Sequence, residues 1–211
     1  MTVKESYNSW ALQYDTNSNR TRDVENIALR KVLSNIQFDK CLELGCGTGK
    51  NTVWLIDKVK YLLGVDLSDE MLKKARGKVI SNKATFKQAD ITQPWLFCEP
   101  PYNLISFSLV LEHIADLDFV FSEANKVLKK GGYVYVGELH PFKQYSGTRA
   151  RFETATGTEV VECYNHHVSE FIQTGKKYGL SVAALDEHFD DDDKNSIPRI
   201  LTILFQRHLK S

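Results

Sequence analysis

Glu43-Leu44-Gly45-Cys46-Gly47-Thr48-Gly49 is the stretch around which the rest of the chain is organised. The apolar run Cys41 to Leu44 reads as a buried strand, and the segment after the glycines reads as the opening of a helix. Glycines in such a turn let backbone N–H groups approach a small ligand at a helix N-terminus. A dinucleotide fingerprint, G-x-G-x-x-G, would place glycine at position 50, where this chain has Lys50. A triphosphate loop needs G-K-[ST], but Gly49-Lys50 is followed by Asn51. The pyrophosphate reading is weakened and the triphosphate reading fails.

Working outward, the next strand ends in Gly64-Val65-Asp66-Leu67-Ser68, where a carboxylate roughly 20 residues past the loop can accept both hydroxyls of a ribose. A third strand ends in Gln88-Ala89-Asp90-Ile91, and Asp90 is placed to accept from an exocyclic amine such as that of adenine. An adenosine with a non-phosphate tail fits all three positions. Tyr61 to Val65, Ala84 to Lys87, Leu104 to Ser108 and Tyr133 to Gly137 complete the alternating strands, which helices connect as in a parallel sheet. Ser68 before Asp69 and Glu70 predicts a helix to about Lys78, and a second runs from Asp116 to Lys129, stopped by Lys130 and Gly131.

Tyr7, Trp10, Ala11 and Tyr14, then Leu29, Val32, Leu33 and Ile36, recur at helical spacing and predict two amphipathic helices ahead of the first strand, joined by the polar stretch Asp15 to Arg22. After Gly137 the alternation is interrupted by Leu139 to Cys163, where Arg151–Thr154 and Glu159–Cys163 are expected to form a hairpin around Gly157. A helix from Ser169 to Tyr178 follows. Leu180 to Leu185 and Ile197 to Phe205 come next without a helix between them, so they should pair antiparallel. The organisation expected is one domain over 1–211, with an N-terminal helical cap, 1–39, and a lid-like insertion, 139–163.

Lys plus Arg and Asp plus Glu each total 27, so no overall field draws nucleic acid or an anionic membrane, and a small-molecule partner is favoured. Cys41, Cys46, Cys98 and Cys163 form no C-x-x-C pair and read as reduced. No apolar leader opens the chain and no uncharged run crosses about 30 Å of hydrocarbon, so a cytoplasmic address is expected. No metal constellation is visible, and the run Asp190 to Asp193 reads as a solvated loop. The oligomeric state is not legible.

The motifs E-L-G-C-G-T-G, G-V-D-L-S-x-x-M-L, A-D-I, S-x-V-L-E-H and L-K-K-G-G follow one another from about Lys40 to Gly137. In that order the chain resembles the class I S-adenosylmethionine-dependent methyltransferases, and within them the small-molecule branch that includes ubiquinone and menaquinone methyltransferases. The resemblance implies an α/β, Rossmann-like sheet of seven mostly parallel strands with an antiparallel last strand, order 3-2-1-4-5-7-6, and helices on both faces. It implies S-adenosylmethionine as donor and S-adenosylhomocysteine as product. Gly45, Gly47 and Thr48 would line the methionine portion, with Glu43 and the small residue Cys46 shaping the loop. Asp66 and Leu67 would hold the ribose and the adenine edge, Met71 would pack on the base, Asp90 and Ile91 would bound it, and Ser108 would present backbone near the methionyl group.

Transfer to an alcohol, a phenol or a protonated amine is helped by a base, and histidine is the natural one near neutral pH. His140, after the fifth strand, is the first choice for a base or substrate hydrogen bond. His113, in the L-E-H motif, is the second, with a structural or cofactor-side role as an equal reading. His166 reads first as the start of a helix. Tyr14 could reach toward the sulfonium from the N-terminal cap, and Phe142, Tyr145, Arg149 and Phe152 could line an acceptor pocket, although Arg149 and Arg151 read first as hairpin decoration. A non-catalytic cofactor-binding subunit and a nicotinamide-dependent dehydrogenase are the alternatives to a methyltransferase acting on N or O of a small molecule.

Overall fold

The computed structural model describes residues 1–154 and 157–209; the hinge of the expected hairpin, 155–156, lies outside the described residues. Seven strands form the main sheet: β1 Lys40–Leu44, β2 Tyr61–Asp66, β3 Ala84–Gln88, β4 Tyr102–Ser108, β5 Leu128–Leu139, β8 Leu180–His188 and β9 Ile200–Arg207. Their order is β3-β2-β1-β4-β5-β9-β8. Within the main sheet that is 3-2-1-4-5-7-6, with β9 antiparallel to both neighbours and the rest parallel. β6 Arg151–Thr154 and β7 Gly157–Val160 make a separate hairpin.

Alternate residues of each strand serve opposite faces of the sheet, as a two-residue period requires. Leu42, Leu44, Val65, Ile105, Phe107, Val134 and Val136 join one buried cluster with Val120, Phe121 and Ala124 of α5 (Leu117–Val127) and Phe171 of α7 (Val168–Lys177). Cys41, Leu62, Leu104 and Tyr135 join the other, with Leu29 and Leu33 of α2 (Arg20–Leu33) and Leu55 of the short α3 (Thr52–Leu55). Helices on both faces keep the parallel strands out of water, which is why their sequences are apolar in runs.

Capping fixes where helices begin. The Ser68 hydroxyl accepts from Met71 N (3.1 Å) to open α4 (Asp69–Lys78), and Asp116 accepts from Phe119 N (3.2 Å) to open α5. Their ends differ from expectation in places. α5 stops at Val127, because Arg207 Nη1 takes the carbonyls of Asn125 (2.7 Å) and Leu128, and Leu128 pairs with Tyr102 as the first residue of a β5 longer than periodicity suggested. α1 (Val3–Trp10) is too short to include Tyr14, which lies in the irregular segment before α2, and Ile36 lies beyond the end of α2. β9 begins at Ile200 rather than Ile197, and the second hairpin strand is Gly157–Val160 rather than Glu159–Cys163. A one-turn helix, α6 (Pro141–Tyr145), opens the insertion, with His140 as its cap.

Candidate active site

The carboxyl ends of β1, β2, β3 and β4 converge on a cavity of about 230 Å³. β2 holds the glycine loop in place: Gly45 N and Cys46 N both donate to Val65 O (2.8 and 3.0 Å), and Gly47 N donates to Asp66 Oδ2 (2.8 Å). Gly45 adopts φ +68°, and a Cβ there would sit 2.5 Å from Val110 Cγ2, so both backbone and packing require glycine. Gly47 has φ +53° and lines the cavity, and a Cβ there would meet no atom within 4 Å, so the loop's concave side is open.

Asp66 lines this cavity and is partly exposed to it. Its Oδ1 accepts from Ser68 N (2.8 Å), and burial raises its carboxyl against the opposing pull of these backbone donors. Asp90 uses Oδ1 for Thr92 N (2.9 Å) and Thr92 Oγ1 (2.7 Å), a local turn that fixes the carboxylate at the far end of the cavity beside Leu67, Ala89 and Ile91. Ser108 Oγ is buried in the cavity wall without a hydrogen-bond partner.

At the opposite end a smaller recess holds two buried acids. Glu43 Oε2 accepts from Thr52 Oγ1 (2.5 Å); Glu25, from α2, accepts from Asn51 Nδ2 (2.9 Å) and Tyr135 OH (3.1 Å). Burial pushes Glu43 up to about 8, with Glu25 and Asp66 adding to the rise, and burial raises Glu25 as well. Thr48 and Cys46 line the same recess. Burial also drives the Cys46 thiol upward, which makes it a small apolar group.

The N-terminal segment covers these cavities. Thr48 Oγ1 donates to Asp15 Oδ1 (2.7 Å), Lys78 Nζ reaches Asp15 Oδ2 (2.8 Å), and Ser68 Oγ bonds Asn8 Oδ1 (2.6 Å). Although burial alone would raise Asp15, the bonds from Lys78 and Thr48 hold its carboxyl below the usual value. Tyr7, Tyr14 and Leu109 line the 230 Å³ cavity and also a second one of about 300 Å³, so the two meet at these three side chains. Leu109 stands at φ 53°, a conformation rare outside glycine and one that accumulates at functional sites.

His113 closes the junction. Its Nδ1 lies 2.7 Å from Glu162 O, an atom that can only accept, so in the neutral ring Nδ1 carries the proton and Nε2 accepts from Tyr7 OH at 2.8 Å. Burial raises the Tyr7 hydroxyl well above its ordinary value. Glu112, His113 and Cys163 each bring one possible ligand atom within 4.8 Å of the others, a grouping that a separation of 50 positions between His113 and Cys163 hides in the sequence. Both His113 nitrogens are engaged and burial pushes the Cys163 thiol up to about 12, so the trio stands as a polar contact.

Of the residues singled out from sequence, Gly45, Gly47, Asp66, Leu67, Asp90, Ile91, Ser108, His113 and Tyr14 line the first cavity, and Glu43, Cys46 and Thr48 line the recess. Met71 is elsewhere: it is buried in an apolar cluster with Trp10, Ala11, Phe152 and Val161. His140 is 1% exposed and lines neither of these two cavities; its Nδ1 accepts from Phe142 N (3.2 Å) and its Nε2 meets Glu187 Oε1 (2.9 Å). His166 is buried between Ile114 O (2.8 Å) and Glu170 (3.0 Å). Phe142 and Tyr145 are about half exposed, at 52% and 49%, and line neither of these two cavities. Arg149, named as a possible pocket residue but read first as hairpin decoration, lines the second cavity, whereas Tyr7, Glu25 and Leu109 were not put at the site by sequence reasoning. Glu25 had a signal, since it falls one turn before Leu29 on the buried face of α2, where a carboxylate is costly without a task. Leu109 had none.

Residues 42–136 match the family described as methyltransferase domain. An uncharacterized methyltransferase of Emericella nidulans is 27% identical over 86% of this chain and 77% of its own length. A ubiquinone biosynthesis O-methyltransferase of Pelagibacter ubique is 28% identical over 74% of this chain and 66% of its own. A solved structure assigned as an S-adenosylmethionine-dependent methyltransferase, from Listeria monocytogenes, superposes with a TM-score of 0.76 at 26% identity, over 89% of this chain and 99% of that one. The N-methyltransferase NodS from Bradyrhizobium japonicum, solved with S-adenosylhomocysteine, shares the fold at 18% identity, with a TM-score of 0.74 over 98% and 99% of the two chains.

The chain carries a methyltransferase domain, and its relatives and its fold are those of S-adenosylmethionine-dependent methyltransferases. The methyltransferase takes S-adenosylmethionine as its cofactor, and the cavity fits that molecule: carboxylates at Asp66 and Asp90 suit a nucleoside, an open glycine turn and the orphan Ser108 hydroxyl lie between, and two buried acids suit an ammonium. No helix among the described residues is long and apolar enough to cross a membrane.

Proposed function

We propose that the methyltransferase transfers a methyl group to nitrogen or oxygen of a small-molecule acceptor, seated in the 300 Å³ cavity. The observation that carries this reading is the junction: one cavity with nucleoside-binding chemistry opens, across Tyr7, Tyr14 and Leu109, into a second whose volume falls at the lower end of the range for small ligands. The bound sulfonium supplies an electrophilic methyl group whose transfer is an in-line displacement. The protein's work is then to align and to keep water out.

In this reading Asp66 accepts the ribose hydroxyls, Leu67, Asp90 and Ile91 bound the base, Gly45, Gly47, Thr48 and Ser108 surround the methionyl portion, and Glu43 with Glu25 faces its ammonium. Tyr7 presents its oxygen lone pairs at the junction while its proton points to His113, so the pair can take a proton from an acceptor N–H or O–H. His140 positions the start of α6. Residues 1–39 serve as the cap, and 139–163 with the segment before α2 walls the acceptor cavity, all within one domain. Isothermal titration of the folded protein with S-adenosylhomocysteine tests the donor half; labelled methyl appearing in the low-molecular-weight fraction of a cell extract tests the acceptor half. Label appearing only in macromolecules refutes the small-molecule reading.

A further inference from the structure

Five of the chain's eight arginines, Arg20, Arg22, Arg149, Arg151 and Arg199, line the 300 Å³ cavity, and no lysine does, although lysines are the commoner cation of this sequence. With a formal net charge of zero, such a concentration is not the overflow of a basic surface. Two of the five are neutralised within the protein. Arg199 grips Asp190 with Nε and Nη2, both at 2.5 Å, and Arg20 pairs with Asp190 and Asp191.

The other three have no carboxylate partner among the described residues. Among the described residues Arg149 Nη1 donates only to the carbonyls of Gln144 (2.9 Å) and Thr148 (3.0 Å), and the exposed Arg151 side chain has no hydrogen-bond or ion-pair partner. Arg22 is 8% exposed, donates to the carbonyls of Tyr14 and Asn17 (2.9 Å), stacks 4.0 Å over the Tyr14 ring, and leaves a buried Nε without a partner. Among the described residues Glu112 is the one acid on the cavity wall; its Oε2 is buried and makes no hydrogen bond, and burial raises its carboxyl against the opposing pull of His113 and Arg149. The Trp10 indole N–H, also buried and unpaired, adds another donor. A cavity rich in guanidinium donors and aromatic walls, and short of carboxylates, is built for an oxyanion on an apolar body.

We infer that the methyl acceptor carries an oxyanion, a carboxylate or a phosphate, held by Arg149 and Arg151 on the far side of the aromatic junction from the donor, with Arg22 at the junction itself, where it lines both this cavity and the donor recess. The inference rests on the small-molecule reading above and adds the charge of the molecule.

The test uses the full chain saturated with S-adenosylhomocysteine and titrated with benzoate, phenyl phosphate and the neutral isostere benzamide at constant ionic strength, followed by saturation-transfer NMR. At least one anion should bind tenfold or more tighter than benzamide, and the preferred one distinguishes a carboxylate from a phosphate acceptor. R149Q and R151Q should each weaken that anion about fivefold or more while S-adenosylhomocysteine affinity stays within twofold, and R149K should recover part of the loss. Arg151 is exposed, so R151Q keeps the test informative if R149Q folds poorly. Equal binding of benzamide, no saturable binding of either anion, or indifference to both substitutions would overturn the inference while donor binding persists. Failure of the wild-type protein to bind S-adenosylhomocysteine would instead remove the donor reading, and this inference with it.

Discussion

The two buried acids beside the glycine loop predict that donor binding is linked to proton release. Glu43 is enclosed, hydrogen-bonded to Thr52 and crowded by Glu25 and Asp66, and its carboxyl is pushed up to about 8. A raised carboxyl pKa means the free site is largely protonated at pH 6 and ionised above pH 8, whereas a cationic ligand end favours the carboxylate. Binding should therefore strengthen as pH rises through this window. Two units below its pKa about one site in a hundred is ionised, so S-adenosylhomocysteine affinity at pH 6 should lie about a hundredfold below its high-pH plateau, roughly 3 kcal/mol at about 1.4 kcal/mol per unit. Calorimetry in two buffers of different ionisation enthalpy should register nearly one proton released per ligand near pH 6.5. Glu43→Gln keeps the size and the Thr52 contact but cannot titrate, so its profile should flatten, with a smaller slope left by Glu25. A flat wild-type profile, or a Glu43→Gln profile as steep as wild type, refutes the reasoning.

Tyr7→Phe should cut turnover about tenfold or more and alter its pH profile, with S-adenosylhomocysteine affinity within about threefold, because it removes only the hydroxyl bonded to His113; steady-state kinetics with unchanged kcat at every pH would dismiss the relay. His140→Ala should lower stability by about 1–3 kcal/mol in urea unfolding, since a buried ring that caps α6 and meets Glu187 is lost, while turnover per folded molecule stays near wild type; unchanged stability with collapsed turnover would return His140 to the chemistry.

The parallel strands and the donor end of the site were legible in the chain because they depend on local rules, while the strand order was implied by the resemblance to a known family. Apolar runs mark buried parallel strands, Ser68 and Asp116 mark helix starts, and Gly45 marks a backbone turn whose Cβ would strike Val110. Asp66 and Asp90 follow from the loop by short, ordered spacing, so their place at one rim needs little beyond chain order.

The acceptor side had no such register. Arg20, Arg22, Arg149, Arg151 and Arg199 are separated by up to 179 positions and become one wall only when the N-terminal cap, the insertion and the turn before β9 fold together. His113 looked like a motif residue until Glu162 O fixed its tautomer and Tyr7 arrived from 106 positions away to donate to it, and His140 looked catalytic until burial turned both its nitrogens to structural partners. Periodicity and turn chemistry act over a few residues and so are written in the sequence; the charge and shape of a cavity are sums over distant side chains, and only tertiary packing performs that sum.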